Sequence, residues 1–196
     1  MIEVYVKDFD GVWFGVSCEN QKIFATSFEK DEQKALRDLL ACIPFNMAFQ
    51  VTSSGSAFAE SVVSLVKRIY EGKDSDERVA LATDHLPSYT GKVLNAVSLI
   101  PVGYVSTYGS VADAVGGGAR AVGNVMASNP FAPIVPCHRV VAANLALGGY
   151  GGGFDAKHAF LVREKRGYTE QREIPFKSGK LRVFPVEQVL KKLKKK

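Results

Sequence analysis

Ile134-Val135-Pro136-Cys137-His138-Arg139-Val140-Val141 reads as a rigid turn carrying a thiol, set between β-branched residues that favour extended chain. Pro136 fixes its own φ and biases Val135 towards extended backbone. The thiolate, not the thiol, is the nucleophilic form, and basic neighbours such as His138 and Arg139 raise its fraction. Taken alone, a Cys-His pair also fits a small buried hydrophobe. The surrounding chain has to decide between the two.

Upstream stands Ala119-Arg120-Ala121-Val122-Gly123-Asn124-Val125-Met126-Ala127-Ser128-Asn129-Pro130, a short helix ending at Asn-Pro. Downstream stands Gly148-Gly149-Tyr150-Gly151-Gly152-Gly153, followed by a helix holding Glu164. Arg-Ala-Val-Gly, then Asn-Pro, then Ile-Val-Pro-Cys-His-Arg-Val-Val, in this order, resembles the O6-alkylguanine-DNA alkyltransferases. Those proteins repair alkylated guanine by taking the alkyl group onto their own cysteine. The resemblance runs from about Tyr89 to Gly167.

The resemblance implies a role for each matching position. Cys137 is the nucleophile, and His138 and Glu164 form a relay in which the carboxylate orients the imidazole and the imidazole draws the thiol proton. Tyr108 donates to the departing base, although a tyrosine at that place also fits a buried structural role. Arg120 fills the gap left by a nucleotide rotated out of the duplex, because O6 cannot be reached in stacked DNA. It also reads as a phosphate contact or a solvated charge. Ala119, Ala121 and Gly123 allow close approach to the minor groove, and Thr107 is placed on the same DNA-binding surface. Asn129 ties the helix end to the cysteine loop. Val140, Tyr150, Gly151 and Gly152 are expected at the base pocket with Asn129. Gly151 departs from the family, where serine is common, and removes a hydroxyl from that wall. The front cysteines and His85 fall short of a four-ligand set, so neither metal nor cofactor is expected.

Composition sets the outer bounds. The 196 residues suffice for one large domain or two small ones, and 46% hydrophobic with 23% charged residues describes a chain with a proper core. A net charge of +5 fits a polyanion partner without requiring one. No apolar run is long enough to span a bilayer, and Met1-Ile2-Glu3-Val4 has no signal-peptide character. Three cysteines make a poor disulfide framework, which favours a reducing compartment, although a Cys18–Cys42 bridge stays open.

In chain order, residues 2–6, 12–17 and 22–27 read as strands, with turns at Asp10-Gly11 and Glu19-Asn20. Glu32–Cys42 reads as a helix presenting Ala35, Leu36, Leu39 and Leu40, and 48–51 as a short strand. Ser56 caps a longer helix carrying Phe58, Val62, Leu65 and Ile69, which Gly72 closes. Gly72–Arg78 is the most linker-like stretch, and 79–83 reads as a crossing strand. Ser88 is expected to cap the helix that follows. Two short helices, 107–115 and 119–128, flank Gly116-Gly117-Gly118 as a candidate helix-turn-helix. Asp155 is expected to cap the last helix of that domain, ahead of a strand at 181–184 and an amphipathic helix. The terminal Lys191–Lys196 run reads either as a frayed solvated end or as an auxiliary phosphate contact.

The expected architecture is α/β (α+β): a structural sheet-plus-helix domain over 1–87, a mainly helical DNA-binding domain over 88–168, and a basic extension over 169–196. The expected function is single-turnover removal of the alkyl group from O6-alkylguanine in double-stranded DNA by a cytoplasmic monomer, nuclear if the source is eukaryotic. A non-catalytic lesion-binding protein and a thiol hydrolase are the alternatives. The first is disfavoured by Cys137 itself, the second by the adjacency of Cys137 and His138.

Overall fold

The computed structural model describes residues 1–73, 75, 77–177 and 179–194. They fall into two compact units, one of residues 1–86 with 130–134 and one of residues 87–129 with 135–196.

The first unit is built on a sheet of order β4-β1-β2-β3-β5. Strands β1 (Ile2–Phe9), β2 (Val12–Glu19) and β3 (Lys22–Glu29) form an antiparallel meander. Both of its turns have two residues at positive φ, Asp10-Gly11 (55° and 82°) and Asn20-Gln21 (50° and 59°). That geometry matches the twist of the flanking strands and explains why Asp-Gly was so legible. Helix α1 (Glu32–Leu40) leads to β4 (Phe49–Thr52), which pairs parallel to β1. Helix α2 (Ala57–Tyr70) follows, then the two-residue β5 (Ala80–Leu81), parallel to β3.

The two helices lie on opposite faces. A side chain on Gly15 would meet Leu39 of α1 at 2.7 Å, so the missing Cβ seats that helix. The neighbouring Phe14 points to the other face, where it packs edge-on against Tyr70 of α2, with ring centroids 5.4 Å apart. With both faces covered, β2 is buried without alternation from Phe14 to Cys18. Ser56 caps α2, accepting from Ala59 N at 3.2 Å, and Gly72 follows at φ 77°. The Pro130–Ile134 segment joins this unit through Thr26. Its N–H donates to Pro130 O and its Oγ1 to Ala132 O, both at 2.8 Å, and Phe131 is fully buried.

The second unit begins with α3 (Ser88–Val97) and a Pro101–Tyr104 turn. Strand β6 (Tyr104–Thr107) runs directly into α4 (Tyr108–Val115), and Gly116–Gly118 leads to α5 (Ala119–Ala127). One 3-10 turn, Cys137–Arg139, precedes β7 (Val140–Val141). Helix α6 (Gly153–Arg163), the hairpin β8 (Arg172–Phe176) and β9 (Gly179–Pro185), and α7 (Val186–Leu193) complete it.

Several expectations change here. The unit is mainly helical as expected, but it also carries a four-stranded sheet of order β7-β6-β9-β8. Its middle strand β6 is paired by β9, so residues 169–194 are part of this unit and not an appended extension. Ser88 is the first helical residue of α3, with Pro87 at the cap position. Asp155 lies inside the first turn of α6, behind Gly152 at the cap. Its charge there still suits the helix dipole. Lys195 and Lys196 lie outside the described residues, as do Asp74 and Asp76 of the linker-like stretch. All three cysteines are free, so Cys18 and Cys42 are not bridged.

Candidate active site

Thr107 starts the site. It is buried, and its Oγ1 accepts from Ser110 N at 3.0 Å while facing Ser110 Oγ at 2.9 Å. The hydroxyl is spent as the cap of α4 and is not on the surface expected for DNA contact. The cap sets the direction in which Tyr108 leaves the helix. The Tyr108 hydroxyl donates to Gly149 O at 3.2 Å. Burial, and then the nearby Cys137, raises its pKa, so it stays a donor at neutral pH.

Cys137 is 5% exposed and opens onto a cavity of about 420 Å³ lined by Tyr108, Gly123, Met126, Ala127, Cys137, Gly149, Tyr150 and Gly151. Asn129 holds the loop before it, donating from Nδ2 to Val135 O at 2.9 Å. Burial pushes the Cys137 thiol above its ordinary value, against the lowering effects of an Asn129 hydrogen bond and the Lys157 charge. The resting group is therefore a thiol that needs a base.

That base stands next in the chain. His138 is fully buried, its ring stacked on Phe160 at 4.4 Å, and its Nε2 lies 2.8 Å from Glu164 Oε1. A carboxylate there fixes the proton on Nε2 and leaves Nδ1 as the acceptor. Among the described residues Nδ1 is buried without a hydrogen-bond partner. Burial lowers the His138 pKa and outweighs the attraction of Glu164, so the imidazole is neutral. Glu164 is 1% exposed and also takes a two-point ion pair from Arg139, at 2.9 and 2.8 Å. Burial resists its ionisation, but His138 and Arg139 outweigh burial and hold its pKa at about 2. Arg139 is anchored in turn by Ile100 O at 2.6 Å.

Lys157 was not singled out in the sequence, where it looks like an ordinary helix lysine. It is fully buried, donates to Val140 O at 2.6 Å and Gly149 O at 3.1 Å, and lies 5.8 Å from the Tyr108 ring centroid. Burial lowers its pKa to about 8, with Cys137 opposing. The spacing of a lysine in a helix carries no sign of this, because both carbonyls come from other segments.

The remaining candidates divide. Tyr150 and Gly151 line the cavity, as does Gly123, which was expected on the DNA side. Gly152 does not line it. A side chain there would meet the Tyr150 ring at 3.0 Å, so the glycine makes room behind that ring. Val140 supports the wall through its carbonyl and Asn129 through its side-chain amide, and neither is part of its lining. Met126, Ala127 and Gly149 line it and were missed. Ala119 and Arg120 are exposed at the start of α5, and Ala121 is half-buried.

The family model described as 6-O-methylguanine DNA methyltransferase, DNA binding domain, matches residues 88–166. A methylated-DNA–protein-cysteine methyltransferase of Mycolicibacterium paratuberculosis is 47% identical over 77 residues, 38% of this chain and 47% of that protein. The chain thus spans only about half the length of that relative. The protein of the same description from Saccharolobus islandicus is 33% identical over 141 residues, 72% of this chain and 88% of its own. A crystal structure of Mycobacterium tuberculosis O6-methylguanine methyltransferase superimposes with a TM-score of 0.65 at 28% identity, covering 84% of this chain and 93% of that one. With 33% identity over 88% of the S. islandicus protein, this chain belongs to the methylated-DNA–protein-cysteine methyltransferase family.

Proposed function

We propose that the protein binds duplex DNA, rotates an O6-alkylguanine into the cavity over Cys137 and transfers the alkyl group to that cysteine once. The observation that carries the reading is a buried thiol on the cavity wall, followed by a neutral imidazole whose far nitrogen is held by Glu164 at 2.8 Å. A relative from M. tuberculosis has been solved in complex with DNA, which supports a DNA partner for this chain.

Chemistry assigns the groups. The sulfur attacks the alkyl carbon as the carbon–O6 bond breaks. The thiol proton passes towards His138 Nδ1 through a water, and Glu164 stabilises the imidazolium that forms. The Tyr108 hydroxyl turns from Gly149 O to the departing guanine and passes it a proton, and the imidazolium gives its proton back through solvent to the tyrosinate, so the thiol proton ends on the base and charge balances. Lys157 acts as a positioning residue. It holds the Val140 and Gly149 carbonyls and places a positive charge where thiolate and leaving base develop negative charge. Arg120, exposed at the N-terminus of α5, enters the stack in place of the rotated nucleotide. Among the described residues no helix is long and apolar enough to cross a membrane.

The test is intact mass after mixing with an oligonucleotide holding one O6-methylguanine. The protein gains a single methyl group, peptide mapping places it on Cys137, and repaired base equals protein consumed. Binding with no mass change, or many turnovers with the mass unaltered, sinks the reading.

A further inference from the structure

The positive charge of this chain is concentrated where the family match has ended. Residues 167–196 carry nine basic and three acidic residues, a net +6, whereas residues 1–166 carry sixteen and seventeen, a net −1. The family model stops at residue 166. Much of that charge is on the β8–β9 hairpin, and the hairpin is built against the helix-turn-helix. At its tip, a side chain on Gly179 would meet Ala114 O at 3.2 Å, and further along β9 Arg182 Nη2 lies 3.0 Å from Asp113 on α4. Along β9, Leu181 and Val183 are buried while Lys180 and Arg182 face solvent, as strand alternation requires.

We propose that this hairpin is a second phosphate-binding element. Resting on the DNA reading above, it grips the duplex backbone beside the rotated base through Lys177 and Lys180. Ala114 is five residues before Ala119, so the tip is within about 18 Å of the start of α5 along the chain. That is about five base-pair rises of a duplex, within the footprint of a protein holding Arg120 in the stack. Lys177 is exposed at the turn, its Nζ 5.7 Å from the Phe176 ring centroid. Lys180 pairs with Glu173 at 2.8 Å, but both side chains are more than half exposed, and such pairs exchange readily for phosphate. Arg182 faces Asp113 and is left unchanged in the test, and the hairpin is held in the unit by the pairing of β9 with β6 and by its close approach to Ala114 O.

The experiment uses the full chain with Lys177→Gln and Lys180→Gln together. Affinity for an undamaged duplex is measured across a salt series, and reaction with free O6-benzylguanine reports on the fold. Each phosphate contact contributes about 0.9 to the slope of log K against log salt, so the slope flattens by about 2 and affinity falls several-fold. The free-base reaction keeps its wild-type rate. Glu173→Gln, which releases Lys180, moves duplex affinity the other way. An unchanged slope in the double variant overturns the proposal, as does a parallel loss of the free-base reaction or a Glu173→Gln protein that binds no tighter than wild type. A wild-type protein with no salt-dependent duplex affinity removes the DNA reading first, and this proposal with it.

Discussion

Each unit buries one cysteine almost completely, and the two differ in what faces the sulfur. Cys18, on β2, is 3% exposed, and burial followed by the Glu3 carboxylate pushes its pKa to about 12. Cys137, in the second unit, is 5% exposed and is also raised by burial, but Asn129 and Lys157 pull against that rise. Beside Cys137 stand a neutral imidazole and an open cavity; Cys18 has strand neighbours. Burial alone therefore makes an inert thiol, and reactivity comes from the charges and donors that the fold carries to it.

The same contrast runs through the ionisable groups. The first unit has nine basic and fourteen acidic residues and, among the described ones, buries none; the second has sixteen and six. It is the second that buries four of them, His138, Arg139, Lys157 and Glu164, in one cluster. Burying charge costs several kcal/mol per ion unless partners are close, as they are here.

The largest expected effect breaks the cysteine comparison directly. Cys137→Ser abolishes alkyl transfer while duplex affinity stays near wild type, as intact mass and anisotropy would record. Cys18→Ser leaves transfer unchanged, because its sulfur faces the Glu3 carboxylate and does not line the cavity. Loss of transfer in Cys18→Ser would erase the distinction.

Next comes the carboxylate pair Glu164 and Glu60. Glu164→Ala strands His138 and Arg139 and costs about 3–5 kcal/mol by urea unfolding. Glu60→Ala removes a half-exposed partner of Lys7 and Tyr5 and falls within the scatter of wild type. The pH dependence has a definite sign. The Glu164 pKa is about 2 in the folded chain against an ordinary 4.5, so its stabilisation is present above about pH 4.5 and is lost as pH falls towards 2. Glu164→Gln flattens stability over that window. A wild-type profile already flat there would mean that the pairing contributes nothing.

A smaller effect, about 10²-fold in transfer rate, is expected for Tyr108→Phe, the usual cost of one donor at a developing charge. Single-turnover kinetics would show it with duplex affinity unaltered. Equal loss of affinity would make Tyr108 structural instead.

The smallest effect separates surface from site. Arg120→Ala is expected to slow repair in duplex DNA by roughly tenfold, as loss of help with unstacking would. Reaction with free O6-benzylguanine is unaffected, because the residue acts on extrusion and not on bond breaking. Equal slowing of both reactions would move Arg120 out of the DNA face.

Local chemistry made part of this molecule readable from its residues. Asp10-Gly11, Ser56, Gly72 and Gly116–Gly118 act on their own few residues, through positive φ or a single cap, and the meander, α2 and the α4–α5 pair were expected where they occur. The order of Arg120, Asn129, Pro136-Cys137-His138-Arg139 and Glu164 named the family. Tertiary structure decided the rest. Strands β6 and β7 are four and two residues long, too short for a period; β6 is held by β9, more than seventy residues away, and β7 by β6. Residues 169–194 read as an extension for the same reason, since their partners are distant in sequence. Thr107 looked like a groove contact until its hydroxyl was seen capping α4. Lys157 shows the physical reason most plainly: a lysine in a helix is solvated by default, and only the Val140 and Gly149 carbonyls, brought in by the fold, make burying its charge tolerable.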